Sequence, residues 1–265
     1  MISKVENPIL IKYLAGVTPL HWAAEHGYLN EVPKELLSYK PAMLSVMRDR
    51  HDFGFCVWSP LHLAARSGHL DQIPKEMLTI GNLVVKNGLG NTSLHLAAEC
   101  GHLDQVPEEL FTADLVPACG NKTRGTKNPI MTKDSSGWTF LHNAAWYGHL
   151  GQLPERFLRA GNMLVAGRGG ESPLHTAATY GFLGQVPREV VQDNLLLEAD
   201  FGWTVLHSAK EHSSLDSLLG IPMPDDAKYI VGEAWWEKNL KAIENLKAVK
   251  TELTQDPDNS GLDMF

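Results

Sequence analysis

The chain has 265 residues, 43% of them hydrophobic and 20% charged, which is ample for a substantial buried core in a soluble globular protein. Its 31 Asp and Glu against 23 Lys and Arg leave a formal charge of -8, which removes the basic footprint of a general nucleic-acid binder. No run of about 18 apolar residues occurs, so no membrane span is expected. The three cysteines, Cys56, Cys100 and Cys119, lack Cys-x-x-Cys spacing and suit a reducing compartment better than a disulfide framework, so a cytoplasmic location is expected.

In chain order, Met1 to Val17 holds one apolar run, Pro8-Ile9-Leu10-Ile11, broken at Lys12 and followed by no small-residue cleavage site, so no signal peptide is expected. From Thr18 one template recurs six times: Thr18-Pro19-Leu20-His21, Ser59-Pro60-Leu61-His62, Thr92-Ser93-Leu94-His95, Thr139-Phe140-Leu141-His142, Ser172-Pro173-Leu174-His175 and Thr204-Val205-Leu206-His207. The histidines lie 41, 33, 47, 33 and 32 residues apart, a unit of 33 lengthened by 8 and by 14 in two connections. Thr or Ser is placed to cap a helix, and Pro suits its first turn, where a missing N–H costs nothing. The first five histidines are followed by x-Ala-Ala-x-x-Gly: the alanines permit close helix approach, and the glycine stands where the helix must end and the chain reverse.

This template resembles the ankyrin-repeat family, in which each unit is a pair of helices with a projecting hairpin loop. The resemblance implies an all-α solenoid of stacked helix-turn-helix units, a repeat histidine that ties successive loops together by hydrogen bonds, and a protein-binding role. One feature departs from the family pattern: Pro33, Pro74, Pro107, Pro154 and Pro187 recur just inside the second segment of five units. A mid-helix proline costs about 3 kcal/mol. The second helix is therefore expected to start at that proline, after a tight turn, and to run roughly two turns.

The repeat domain is expected over residues 1–220, with insertions near 48–57 and 115–133. The first, around Arg48 to Phe55, mixes charge with two aromatics; the second carries Lys122, Arg124, Lys127 and Lys133 without an acid, a basic finger suited to an acidic surface. The sixth unit, His207-Ser208-Ala209-Lys210-Glu211-His212, lacks the Ala-Ala-x-x-Gly signature, as a capping unit with a polar outer face would. Pro222, Pro224 and Asp225-Asp226 then break the chain. From Trp236, the residues Leu240, Ile243, Leu246, Val249 and Leu253 recur every three or four positions. Residues 221–253 are accordingly expected to end in an amphipathic helix that packs as a cap, anchored by Trp235 and Trp236. Residues 254–265 read as a disordered acidic tail. Its end, Gly261-Leu262-Asp263-Met264-Phe265, is similar to the Gln-Leu-Asp/Ser-Leu-Phe peptide by which bacterial proteins grip the replicative sliding clamp, matching at Leu262, Asp263 and Phe265 but lacking the Gln.

Of twelve histidines, six belong to the template, and His69, His102 and His149 share the slot after the helix-ending glycine, so neither a metal site nor a cofactor is expected. His21-Trp22-Ala23-Ala24-Glu25-His26 misses the His-x-x-Glu-His zinc signature by one residue, which turns the first ligand about 100° around a helix. There is no nucleophile elbow, phosphate loop or dinucleotide fingerprint. No catalytic residue is assigned, and the chain is read as a non-enzyme.

In the family it resembles, partners are held by variable positions on the loops and inner helices. Trp58, Trp138 and Trp203 fill the loop slot before the capping Thr or Ser, and Trp146, Tyr147 and Tyr180 lie just before the helix-ending glycine. With Arg168 and Phe201 in the loops they are the candidate partner-binding residues, since aromatics and Arg dominate binding hot spots. The expected function is that of a monomeric scaffold that holds another protein on the concave face and loops of repeats four to six, with no direct contact to nucleic acid or membrane. The alternatives are an adaptor tethered by its tail to the sliding clamp and a secreted effector acting on a host protein.

Overall fold

Each unit grows from one local device. The side chain of the capping Thr or Ser meets the N–H of the histidine three residues on, and the ring of that histidine takes the cap's own N–H, a reciprocal box present in all six units. At the first of them the Thr18 N–H donates to Nδ1 of His21 at 3.1 Å. The inner helices so started are α1 (Pro19–His26), α2 (Pro60–Ser67), α3 (Ser93–Cys100), α4 (Phe140–Tyr147), α5 (Pro173–Tyr180) and α6 (Val205–Glu211). A computed structural model describes residues 17–38, 47–49, 56–111 and 129–255.

Consecutive inner helices pack side by side, and their template Leu and Ala residues are buried in one continuous core. The architecture is the all-α solenoid of helical units that the template implies. One addition is a short antiparallel pair in the first insertion, β1 (Met47–Asp49) with β2 (Cys56–Trp58), registered Met47 to Trp58.

The outer row corrects the expectation of two-turn helices. After the glycine comes a 3-10 turn, as at Leu70–Gln72 and Leu150–Gln152, and the next residue is extended: Val32, Ile73, Val106, Leu153 and Val186 all have ψ between 130° and 147°. The cause is the following proline, whose ring excludes its predecessor from helical angles. Beyond the proline the chain makes a single turn in most units, Lys34–Leu37, Lys75–Met77, Glu108–Phe111 and Glu155–Phe157, and reaches six residues only at Arg188–Asp193. The prolines thus do start the outer helical piece, but they also split the outer row into two turns where one helix would run.

Units are bolted together by two repeated side chains. Gln152 accepts from the Leu103 N–H at 3.0 Å and donates to the Gly101 carbonyl at 2.7 Å, and Gln105 does the same to Leu70 and Gly68. The residue after each glycine lies on the glycine of the unit before. A Cβ at Gly148, where φ is 79°, would come within 2.6 Å of the Phe182 ring, so only glycine lets the two units approach.

The sixth unit does not turn a polar face to water at the end of the stack. It is followed by α7 (Ala227–Val231), packed on α6, and by α8 (Glu233–Gln255). Trp235 and Trp236 are partly buried against the core. The α8 stripe is different from the one read in sequence: Leu240 is exposed, and the buried position is Asn239, whose Oδ1 accepts from the Gly220 N–H at 2.7 Å while Nδ2 donates to the Ile221 carbonyl at 3.1 Å. A polar residue wins the inner slot because the chain leaving unit six brings two main-chain groups there that need partners. The tail residues Leu262, Asp263 and Phe265 lie outside the described residues, as do Lys122, Arg124 and Lys127.

Candidate functional site

Repeat histidines form the site's fixed frame. With Nδ1 taking the cap's N–H, the far nitrogen reaches the loop ahead: Nε2 of His62 to the Val85 carbonyl at 3.0 Å, of His95 to Trp138 at 3.0 Å, of His142 to Glu171 at 3.2 Å and of His175 to Leu197 at 3.0 Å. These bonds set the loops at the rim of the inner helices. Burial lowers the pKa of all four, to about 4 for His62 and His142, which keeps the rings neutral and able to accept at one nitrogen and donate at the other.

On that frame α4 and α5 present a run of aromatic rings. Trp138, in the loop before α4, lies 5.1 Å from Trp146 on α4, and Trp146 lies 4.4 Å from Tyr180 on α5. Trp146, Tyr147 and Tyr180 remain 39%, 47% and 39% exposed in spite of these contacts. Tyr147, next along α4, stacks near His149 and donates its hydroxyl to the Glu99 carboxylate of α3. Burial, and then Glu99 and Glu171 respectively, raise the phenol pKa of Tyr147 and of Tyr180. The structure thus brings Trp138, Trp146, Tyr147 and Tyr180 into one patch across units four and five.

The remaining expected residues divide. Trp203 is exposed on the loop before α6 and is fixed by its Nε1, which donates to Ser208 Oγ at 3.1 Å, and by its ring 5.3 Å from His207. Phe201 is fully exposed at the loop tip with φ 63°, a left-handed conformation that Gly169 adopts at the matching place one unit earlier. Arg168 is exposed on the unit-five loop, with its main chain beside Gly137 of the unit-four loop. Trp58 is corrected: it is 9% exposed, edge-on to His62 and covered by the Arg66 guanidinium at 5.4 Å, so it belongs to the core and offers no face to a partner. Trp58 ends β2 and pairs with Met47 of β1, a pairing that the slots of Trp138 and Trp203 do not have.

A second aromatic group escaped the sequence reading. Trp22 stacks on His26 at 4.5 Å and on Tyr28 at 5.1 Å, and Trp22 is 53% exposed. Trp22 and Tyr28 occupy slots that face the preceding unit elsewhere, where Leu63 and Leu96 are buried and His69 and His149 cover a glycine. In the first unit nothing among the described residues precedes them.

Among the described residues no three metal-ligating side chains come together, and no helix is long and apolar enough to cross a membrane. In comparison with known families, a model of ankyrin repeats matches residues 61–153 in three copies, and a single-repeat model matches residues 15–45. No curated protein matches the chain. The matched segments end before units five and six, whose inner helices carry the same capping box as the other four.

Proposed function

We propose that this chain, which belongs to the ankyrin-repeat proteins, is a non-enzymatic scaffold that holds a partner protein on the concave face and loops of units four to six. Repeats of this family are protein–protein interaction modules, and the finer assignment rests on one observation: the patch in which exposed Trp146, Tyr147 and Tyr180 join half-buried Trp138. The corresponding helix slots of other units hold Glu25, Arg66, Glu99, Thr179 and Glu211, or His26, Ser67, Cys100 and His212. The fold therefore does not call for rings there, and large exposed aromatics clustered on a rigid surface are the residues that carry binding energy. Trp203, Phe201 and Arg168 extend the surface across the loops of units five and six. The free, exposed thiol of Cys100 at its border supports a reducing compartment such as the cytoplasm.

The test is affinity purification with the intact chain and with a Trp146→Ala/Tyr180→Ala variant. The variant should keep its helical circular dichroism and lose the captured partner by about tenfold or more. Undiminished capture would reject these units as the interface. The adaptor reading is carried by Leu262, Asp263 and Phe265 alone, and deleting Leu262 to Phe265 should leave capture intact if the patch is the interface.

A further inference from the structure

The aromatic patch is bordered by acid on both sides along the stack. Glu99 on α3 lies against Tyr147, and Glu171, in the loop before α5, acts on Tyr180. Neither carboxylate forms an ion pair among the described residues, where the three pairs are Arg156 with Glu108, Lys228 with Glu233 and Lys238 with Asp216. Two basic groups of the neighbouring units are engaged elsewhere: Arg66 covers the Trp58 ring at 5.4 Å, and Lys133 Nζ donates to the Ala166 carbonyl at 2.6 Å. An electron-rich ring surface bordered by two carboxylates that pair with no cation among the described residues is short of one kind of group.

We propose that the patch takes a cationic side chain, an arginine or lysine of a basic segment of the partner, seated on the Trp146 and Tyr180 rings between Glu99 and Glu171. This rests on the reading of units four to six as the interface and adds the chemistry of what they hold. The cation lies against the ring faces, whose quadrupole attracts positive charge, and the two carboxylates supply the counter-charge. Burial is the first cause that raises both phenols, and the groups that act on them besides it are acidic, Glu99 and Cys100 at Tyr147 and Glu171 and Tyr147 at Tyr180. Arg168, exposed on the unit-five loop, is then free for a main-chain carbonyl or carboxylate of the same segment.

The test uses the full chain and two capped pentapeptides, Gly-Arg-Gly-Arg-Gly and the same sequence with citrulline, the neutral isostere of arginine, in place of each arginine. The readout is the indole N–H resonance of Trp146, assigned with Trp146→Phe. The arginine peptide should shift this resonance saturably and the citrulline peptide should not. In Glu99→Gln/Glu171→Gln, with both sites outside the core and the fold checked by circular dichroism, binding should weaken about fivefold or more. Equal shifts from both peptides, no shift from either, or unchanged binding in the double variant would overturn the proposal. If one of these occurs while Trp146→Ala/Tyr180→Ala still abolishes partner capture, the interface stands and its central group is neutral; if capture also survives, the interface reading falls with it.

Discussion

The template histidine is a single residue with two tasks: it completes the cap of its own helix and it ties down the next loop, and it does both only while neutral. Burial depresses the folded-state pKa of His62 and His142 to about 4 from the ordinary 6.5, and lowers those of His95 and His175 as well. Below pH 6.5 the unfolded chain binds protons that the folded chain refuses, so stability is fully present above 6.5 and drains away as the pH falls toward 4. Each of the two most shifted rings accounts for on the order of 3 kcal/mol across that window. Urea midpoints should be level from pH 7 to 8 and fall steeply between pH 6.5 and 4.5; a flat profile would contradict the neutral-ring frame. The capping role was readable from spacing because cap and histidine are three residues apart. The low pKa was not, since it arises from neighbours in other units that exclude water.

At the scale of elements, the prolines and Asn239 make the same point from opposite directions. Five prolines in one register announced that the second helix could not be ordinary, and the rule that a residue before proline avoids helical angles accounts for the split outer row. The helical piece beyond each proline runs from three residues at Lys75–Met77 to six at Arg188–Asp193, a difference that no local rule contains. On α8 the period of apolar residues suggested a stripe through Leu240, yet the helix turns Asn239 inward to serve the chain leaving unit six. Asn239→Ala would strand the Gly220 N–H and the Ile221 carbonyl and should cost about 2 kcal/mol, while Leu240→Ala, at an exposed site, should cost less than about 0.5 kcal/mol. Chemical denaturation of the two variants checks the order; the reverse ranking would restore the stripe read from sequence.

At the scale of the whole molecule, stability is a sum over neighbouring units, and the ends are its weak points. Ending the chain after Leu219 removes α7 and α8, bares the side of unit six built on Leu218, and should lower the thermal midpoint and raise binding of a hydrophobic dye. A truncated chain as stable as the full one would mean that unit six closes the stack by itself. The sequence alone determined the number of units, their start points and the caps, because these depend on hydrogen bonds set by a repeating local spacing. The tertiary structure decided which side chains meet water. Trp58 and Trp138 share a slot and differ in burial, Trp22 faces outward because no described unit precedes it, and Trp146 meets Tyr180 across a unit boundary. Such outcomes depend on contacts like the one between Gln152 and Leu103, 49 residues apart in the chain. A repeat specifies its own shape, but exposure belongs to the neighbour that covers it or leaves it bare.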